Sequence, residues 1–315
     1  MLHVIAMAFA FTIGISACSE DEGGAAGQSS DQSSRSDGAA ETLDLSTPEG
    51  ALLANRKIHC SLEDGKAVTY SWRGRAYSRV PGERDRLLFN VEGMNVRHCI
   101  STEDSERGQG YRLIAREILL YIDPQTGRPL RQWENPWTSK TVGVLHVAND
   151  PVNSENFVKM RNGEDLKWTA QSHGDQWWDN LTVPLFYRNV LAGDYQKYIG
   201  GTYHATEMFN FFGSLSDLTD LSKDTADISV GWVRQSDWLP WMEMQGRVGT
   251  IYMHTAGTKL KSWDDMPDVI KNEIRTNYPD YVGPPPLDDD RPNETSWTYF
   301  KTVKDSERDA AGETD

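Results

Sequence analysis

The sequence predicts an α+β fold in which an antiparallel β-meander curls into a barrel-like sheet covered by two or three helices. Three observations support this class. Segments of alternating apolar and polar residues recur from about residue 50 to 150. Turn sequences such as Glu63-Asp64-Gly65-Lys66 separate them, and short turns of this kind join neighbouring antiparallel strands. A meander must also close on itself or cover its edges, so we expect a curled sheet.

The predicted strands follow one another at hairpin spacing. The second places Val68, Tyr70 and Trp72 on one face and Arg75 on the other, because side chains alternate along a strand. In chain order the predicted strands cover residues 51–62, 67–80, 87–100, 111–122, 130–133, 141–149, 228–234, 248–256 and 295–302.

The fourth strand is apolar on both faces, so we expect it to be covered on both sides. Each face nevertheless carries one charge, Arg116 on one and Glu117 on the other. A charge in apolar surroundings needs a partner or a ligand. A structural ion pair and a binding site are both consistent with this pattern.

Two helices are predicted in the second half of the chain. A short buried helix over residues 202–212 follows Gly200 and Gly201. A helix over residues 264–276 begins after Ser262, has Pro267 in its first turn and turns Ile270 inward.

The amino terminus has the pattern of a targeting segment. Residues 4–17 are apolar or small, a run shorter than the roughly 20 apolar residues that span a bilayer. It ends in Ile15-Ser16-Ala17-Cys18, which looks like a lipobox, although Met1-Leu2-His3 lacks the usual Lys or Arg. We predict a signal peptide over residues 1–17 and a lipid anchor at Cys18, in a cell-envelope lipoprotein facing the periplasm. The alternative is an ordinary secretory signal that ends in cysteine.

Composition divides the remaining chain into three parts. Residues 19–41 are rich in Ser, Gly, Asp and Glu and contain no aromatic residue, so a tether over residues 18–47 is predicted to be disordered. A single β-rich domain is predicted over residues 48–303, because no linker-like segment interrupts it. The polar residues 304–315 are predicted to be a disordered tail.

Cys60 and Cys99 could form a disulfide in an oxidising compartment. If they lay on the first and third strands of a meander, one strand would separate them, and their Cα atoms would be about 10 Å apart. That exceeds the ~7 Å limit for a disulfide. Their neighbours His59 and His98 would point to the opposite face, so a zinc site is also disfavoured.

The charge balance excludes one class of partner. The net charge is -15, with 47 acidic and 32 basic residues, and such a chain repels nucleic acid. The sequence contains no GxSxG, P-loop or HExxH pattern, and no GxGxxG after a strand. We therefore predict no cofactor.

Several segments together resemble a known family. They include Trp72-Arg73-Gly74-Arg75-Ala76-Tyr77, Glu134-Asn135-Pro136-Trp137-Thr138 and Trp238-Leu239-Pro240-Trp241-Met242. On these residues the chain resembles the domain of unknown function 1838 family of bacteria and fungi, over nearly the whole folded region. The resemblance implies no activity. Many relatives are exported, which agrees with the signal segment.

His204 and Glu207 form the sharpest candidate for catalysis. At positions i and i+3 of a helix they would lie on one face, and a carboxylate can orient a histidine that acts as general base. A purely structural hydrogen bond is the alternative. His254 is a third catalytic candidate, and His146 could converge with these residues on a metal. The absence of HxH or HxxxH spacing leads us to predict no metal site.

The aromatic content predicts a pocket for a hydrophobic or aromatic small molecule, although tryptophans can equally fill a barrel core. The leading hypothesis is a cofactor-independent isomerase, lyase or hydrolase in which an arginine counters developing negative charge. The alternatives are a non-catalytic carrier or sensor lipoprotein and a structural envelope protein. The predicted binding residues are Trp72, Arg75, Arg116, His146, Tyr203, Trp238 and Trp241.

Overall fold

The computed structural model describes residues 42–192, 195, 201–244 and 246–312. A ten-stranded antiparallel sheet dominates this part of the chain, accompanied by four α-helices and a two-stranded sheet. The predicted α+β class is therefore confirmed. The helices are α1 (Pro48–His59), α2 (Leu215–Thr219), α3 (Asp268–Asn277) and α4 (Ser296–Ala311).

The large sheet consists of two runs of strands that are neighbours in sequence, and the two runs meet where the first and last long strands pair. In chain order the strands are β1 (Val68–Arg79), β2 (Arg86–Asp104), β3 (Gly108–Ile122), β4 (Gln132–Glu134), β5 (Thr141–Gly143), β6 (Val147–Asn149), β7 (Ser154–Phe157), β8 (Gln171–His173), β9 (Gln176–Arg188), β10 (Thr202–Ser214), β11 (Ser229–Ser236) and β12 (Thr250–Lys259). The order in the sheet is β6-β3-β2-β1-β12-β11-β10-β9-β8, with β7 also on β3, while β4 and β5 form the small sheet. The first and last long strands, β1 and β12, therefore join two meanders into one sheet.

Most predicted strands are confirmed. Residues 67–80, 87–100 and 111–122 form β1, β2 and β3, and residues 228–234 and 248–256 form β11 and β12. The shorter predictions correspond to β4, β5 and β6. The long strand β9 was not predicted, because Pro184 and the neighbouring aromatic residues have the composition of a loop.

The large sheet curls so that strands near its two ends face one another. One cluster of buried side chains combines Leu119 and Tyr121 of β3 with Tyr203 and Ala205 of β10. Four strands separate β3 from β10, so in a flat sheet they would be about 24 Å apart. The two edges do not pair with each other in the described part of the chain, so the sheet is curled but open.

The helix α1 replaces the first predicted strand, so the strand over residues 51–62 was wrong. Thr47 caps the helix by accepting the Gly50 N–H at 3.0 Å, and Pro48 occupies the first turn, where its ring is tolerated. Ala54 and Ile58 pack against one end of the sheet. Local capping and a tertiary contact thus decide the conformation of this segment.

Because α1 lies across the sheet, it brings its carboxyl end to β2. Cys60, just after the helix, forms a disulfide with Cys99 at a Cα–Cα distance of 6.0 Å. The expectation that these residues were too far apart was wrong, since it placed Cys60 on a strand. Because Cys60 follows a helix, the spacing between neighbouring strands does not determine its distance from Cys99.

The other long helices cover the convex face and the open side. Ile270 and Ile274 of α3 pack against β2 and β3, which confirms most of the helix predicted over residues 264–276. The α-helix begins at Asp268, after Pro267, and Ser262 instead caps a separate 3-10 turn, Trp263–Asp265. In α4, Trp297 and Phe300 enter the inner cluster, and the Trp297 ring lies 4.7 Å from that of Tyr203.

The strand predicted over residues 295–302 was therefore wrong. The segment is rich in β-branched and aromatic residues, which favour strands. Thr295 and Thr298 instead form a capping box at the start of α4. The helix continues to Ala311, so most of the segment predicted as a disordered tail is helical.

The helix predicted over residues 202–212 was also wrong, because this segment is the strand β10. It pairs along its length with β9 and over most of its length with β11. Hydrogen bonds to two neighbouring strands outweigh a helical pattern of apolar residues.

The predicted signal peptide and Cys18 lie outside the described residues. At the end of the predicted tether, Leu43 is buried and donates its N–H to Thr219 at 2.9 Å, so residues 42–47 belong to the folded domain. None of the helices in the described ranges has the length and apolar character needed to cross a membrane.

We expect the disulfide to contribute about 3–4 kcal/mol to the free energy of unfolding, because it links residues 39 positions apart. Urea unfolding with and without dithiothreitol measures this contribution. The Cys60→Ser/Cys99→Ser double variant should match the reduced protein and should not respond to reductant. Equal unfolding midpoints for oxidised and reduced wild-type protein would contradict the expectation.

Candidate functional site

The inner face of the curled sheet carries several charged side chains, among them Lys259 opposite Tyr70 and Asp179 opposite Phe211. Glu207 of β10 lies directly opposite Arg234 of β11, and Glu117 of β3 lies opposite Asn95 of β2. Arg97 follows Asn95 on the same face, since alternate residues share a face. Charges on the concave side of a sheet are costly unless they are paired, solvated or bound to a ligand.

Glu207 and Arg234 form the central ion pair of this face. Their Oε1 and Nη1 atoms are 3.2 Å apart, and the side chains retain 19% and 14% of their exposure. Arg234 also donates a hydrogen bond to the Tyr203 hydroxyl. The remaining exposure of these inward-facing side chains shows that solvent reaches the inner face beside them, and we call this solvent-reached space the interior hollow.

The electrostatics of Glu207 favour proton exchange. Burial raises the pKa of its carboxyl above the ordinary value, Arg234 opposes the shift and the charge of Glu117 adds to it. Glu117 and Glu207 belong to β3 and β10, so their interaction again reflects the curl of the sheet. A carboxyl with a raised pKa can act as acid or base closer to neutral pH.

Two asparagines form hydrogen bonds with Glu117 and Arg97 on this face. Asn149 donates its Nδ2 to Glu117 at 2.7 Å, and Arg97 donates its Nε to Asn95 at 2.7 Å. Both charged groups are only partly buried. Each is therefore oriented by one polar neighbour while other atoms face open space.

Aromatic side chains form much of the remaining wall. The rings of Trp72 and Trp232 meet edge to face at 6.3 Å, and Phe209 stacks on Phe211 at 6.2 Å. Gly93 leaves room for Trp72, because a Cβ there would lie 2.5 Å from the indole nitrogen. Trp72, which the sequence predicted as a binding residue, lies in this group of rings, and its binding role stays a prediction.

The strand β9 extends the wall with apolar side chains beside those of β10. Leu181, Val183 and Leu185 are partly buried on its inner face, whereas the alternating Thr182 and Phe186 are exposed. An inner face that is only partly buried is the pattern expected where a strand borders a hollow.

The structure separates the predicted catalytic pair. His204 is exposed on the outer face of β10, where its ring meets Phe186 at 5.9 Å, and Glu207 faces inward. Residues three apart on a strand point to opposite faces, so the predicted His204–Glu207 contact was wrong.

Two further predicted residues lie outside the hollow. His254 and Arg75 are opposite one another on β12 and β1, and both side chains are exposed on the outer face. Among the residues that the structure describes, no three His, Cys, Asp or Glu side chains are grouped as metal ligands would be.

Arg116 has a structural environment. It is buried on the face opposite Glu117, pairs with Asp150 at 3.4 Å and lies over the Tyr281 ring at 5.4 Å. It also donates to the main-chain oxygen of Asp280. The structural ion pair considered for this strand is therefore present.

The remaining predicted binding residues pack at one end of the hollow. Tyr203 contacts Arg234, while Trp241 packs on Tyr121 at 5.2 Å. Trp238 packs on Trp137 at 5.2 Å. Of this group, Tyr203 reaches the charged centre directly, and the two tryptophans fill the core beside it.

His146 is buried beside the same core. Its Nδ1 accepts the Tyr121 N–H at 3.1 Å and its Nε2 has no hydrogen-bond partner. Burial lowers the pKa of His146 to about 4, so the imidazole is neutral near pH 7.

Arg97 and Arg234 were not identified from the sequence. Arg234 follows Val230 and Trp232 at two-residue spacing, which was the signal that it shares their inward face. That signal was missed because arginine at the end of a predicted strand usually contacts solvent.

Two surface depressions lie elsewhere. One of about 440 Å³ lies beside Arg128 and Glu273, and one of about 380 Å³ lies beside Glu243 and Arg247. Neither is lined by a residue of the charged inner face.

The fold and this site define a class of protein: a curled antiparallel sheet with oriented charges and aromatic walls on its inner face. The chain belongs to the family described as Protein of unknown function (DUF1838), whose model matches residues 65–304, as the sequence motifs predicted. No curated protein is significantly similar to the chain.

We expect His146 to make stability depend on pH. The pKa of His146 is about 4 in the folded protein and 6.5 in the unfolded chain. Between pH 4 and pH 6.5 the imidazole therefore binds a proton when the protein unfolds. This contribution is fully present above pH 6.5 and falls by about 3 kcal/mol as pH drops to about 4.

His146→Asn should remove this part of the pH dependence, because the amide can accept the Tyr121 N–H but does not titrate in this range. Urea unfolding at a series of pH values measures the effect, with His173→Asn on the exposed strand β8 as the matched control. Parallel pH profiles for wild type and His146→Asn would refute the burial effect.

Proposed function

We propose that the interior hollow binds a small, largely hydrophobic molecule and that Glu207 exchanges a proton with it. The reaction would be that of a cofactor-independent isomerase, lyase or hydrolase. The observation that carries this proposal is the inward-facing Glu207 carboxyl, which has a raised pKa, an arginine at 3.2 Å and residual exposure.

Each polar neighbour has a distinct role in this proposal. Glu207 in its carboxylate form takes a proton from the bound molecule and becomes neutral. Arg234 stabilises the negative charge that develops on the molecule, and Tyr203 holds the guanidinium in place. In an isomerisation the same carboxyl returns the proton to a second atom, so the step needs no co-reactant.

The substrate class follows from the walls. Trp72, Trp232 and Phe209 present aromatic surface, and Leu181 and Val183 present aliphatic surface from β9. A mostly apolar site with few polar groups is the usual form of a small-molecule pocket. We therefore propose a hydrophobic or aromatic small molecule as substrate.

A carrier or sensor remains the alternative function. Arg234 is close enough to neutralise Glu207, and a neutralised pair can orient a ligand without transferring a proton. In that case the chemistry of the bound molecule would not change, whereas an enzyme would convert it.

The Glu207→Gln variant should lose function, because the amide keeps the size of the side chain but cannot exchange a proton. We expect a deletion strain complemented with this variant to show the same metabolite changes as the uncomplemented deletion. Untargeted metabolite profiling measures this, and circular dichroism of the purified variant verifies folding.

Glu103→Gln is the matched control, since Glu103 is exposed at the end of β2. A folded Glu207→Gln protein that restores the wild-type metabolite profile would exclude proton transfer by Glu207. If His204→Ala instead behaves like the deletion, the catalytic residue would be the exposed histidine predicted from the sequence.

We further propose that the protein is held at the periplasmic side of a membrane by a lipid on Cys18. The support comes from the apolar run before Cys18, the lipobox-like Ile15-Ser16-Ala17-Cys18 and the Ser- and Gly-rich residues that follow. Such a tether would leave the domain free to meet hydrophobic molecules near the membrane.

The Cys18→Ala variant should lose incorporation of labelled palmitate, because the acylated sulfur is absent. Metabolic labelling followed by immunoprecipitation measures this. The Cys60→Ser/Cys99→Ser double variant should still be labelled and provides the control for loss of other cysteines. Undiminished labelling of Cys18→Ala would rule out this anchor.

A further inference from the structure

Arg97 is an inward-facing arginine without a charged partner. Its Nε donates to Asn95 and its guanidinium lies 4.9 Å from the centre of the Tyr70 ring. In the described part of the chain, no carboxylate oxygen lies within 4.0 Å of its guanidinium, whereas Arg116 and Arg234 each have one within that distance. Its terminal Nη groups therefore retain donors that face the hollow.

The nearest inward carboxylate does not satisfy Arg97. Glu117 lies one step along the inner face and influences the Arg97 charge, but it accepts its hydrogen bond from Asn149. Arg97 and Glu117 thus do not pair with each other, because Arg97 is hydrogen-bonded to Asn95 and Glu117 to Asn149. A partly buried arginine without an ion-pair partner favours binding of an anion.

The surroundings of Arg97 add positive charge. The Lys259 ammonium lies on the same aromatic ring, 5.7 Å from the Tyr70 centroid, and donates to the main-chain oxygen of Lys57 at 2.5 Å. His59 of α1 also borders this end of the hollow, where its ring meets Phe211 at 5.2 Å. Arg97 therefore shares this region with Lys259, whose pKa burial lowers to about 7, and with His59, whose pKa burial lowers to about 3 so that its imidazole is neutral.

We infer that Arg97 binds the carboxylate of an amphipathic organic acid whose apolar body lies along Trp72 and Phe209. A planar guanidinium matches a carboxylate with two parallel hydrogen bonds. This inference deepens the proposed function and rests on it, because it gives the molecule in the hollow an orientation. The carboxylate lies at the α1 end, and the apolar body extends toward Glu207 and Arg234.

The orientation explains why the hollow has two arginines. Arg234 is paired with Glu207 and belongs to the proposed proton-transfer centre, whereas Arg97 has no ion pair and is available to an exogenous anion. The strands β2 and β11 position these groups on different parts of the inner face. One arginine would then anchor the molecule while the other acts at the reacting atoms.

Two matched fluorescent probes test the inference on the full chain. Anilinonaphthalene sulfonate carries an anionic group on an aromatic body, and phenylnaphthylamine is the same body without the charge. Dodecanoate and dodecanol, added as competitors, then compare a carboxylate with a neutral alcohol. Binding is measured for wild type, Arg97→Met and the matched control Arg73→Met, since Arg73 is exposed on the outer face of β1.

We expect Arg97→Met to bind the sulfonate probe about 10- to 100-fold more weakly, as for loss of a charge-assisted contact, with unchanged binding of the neutral probe. Dodecanoate should compete better than dodecanol in wild type but not in Arg97→Met. Arg97→Lys should retain part of the preference for anions, and Arg73→Met should match wild type.

Unchanged sulfonate binding, or an equal loss for both probes, in folded Arg97→Met would overturn the role of Arg97 alone. Failure of wild type to bind either probe would overturn this inference together with the proposed pocket. Normal selectivity for anions with full function of Glu207→Gln would instead leave Arg97 as the anchor and reject the proton-transfer reaction.

Discussion

The antiparallel pairing of β12 with β1 is the contact on which the rest of the structure depends. It runs without interruption from Tyr70 opposite Lys259 to Arg79 opposite Thr250. This pairing joins the meander β1–β3 to the meander β9–β12, and the right-handed twist of a large sheet then curls the combined surface. Without it, the charged groups of β3 and those of β10 and β11 would belong to separate sheets and could not face the same hollow.

The curl of the sheet brings charged side chains together on a partly buried inner face. Arg97, Glu117, Glu207 and Arg234 have no net charge together, but one direct ion pair joins only Glu207 and Arg234. Taking charges out of water costs several kcal/mol each unless partners or solvent compensate. Residual exposure supplies part of that compensation, and a bound organic anion would supply more at Arg97. Stability alone would be served better by apolar residues, so retained charges fit a binding role.

The errors made from the sequence share one cause. Residues 51–62 and 295–302 were assigned as strands and residues 202–212 as a helix, and the structure reverses all three. In each case a capping residue or a neighbouring strand decided the outcome against local composition. The change from a predicted helix to a strand at residues 202–212 mattered most. Side chains alternate along a strand, so His204 faces outward and Glu207 faces inward. Glu207 therefore faces the hollow without His204 and forms its ion pair with Arg234.

The sequence by itself determined the strands whose apolar pattern and turns agree, namely β1, β2, β3, β11 and β12, and it determined the helix α3 and the family. It also determined that Val68, Tyr70 and Trp72 share one face, because period-2 alternation needs no knowledge of neighbours. Only the tertiary structure decided the Cys60–Cys99 disulfide and the convergence of Glu117, Glu207, Arg97 and Arg234. These depend on the order and curvature of the strands, which long-range pairing sets and which no local window of sequence contains.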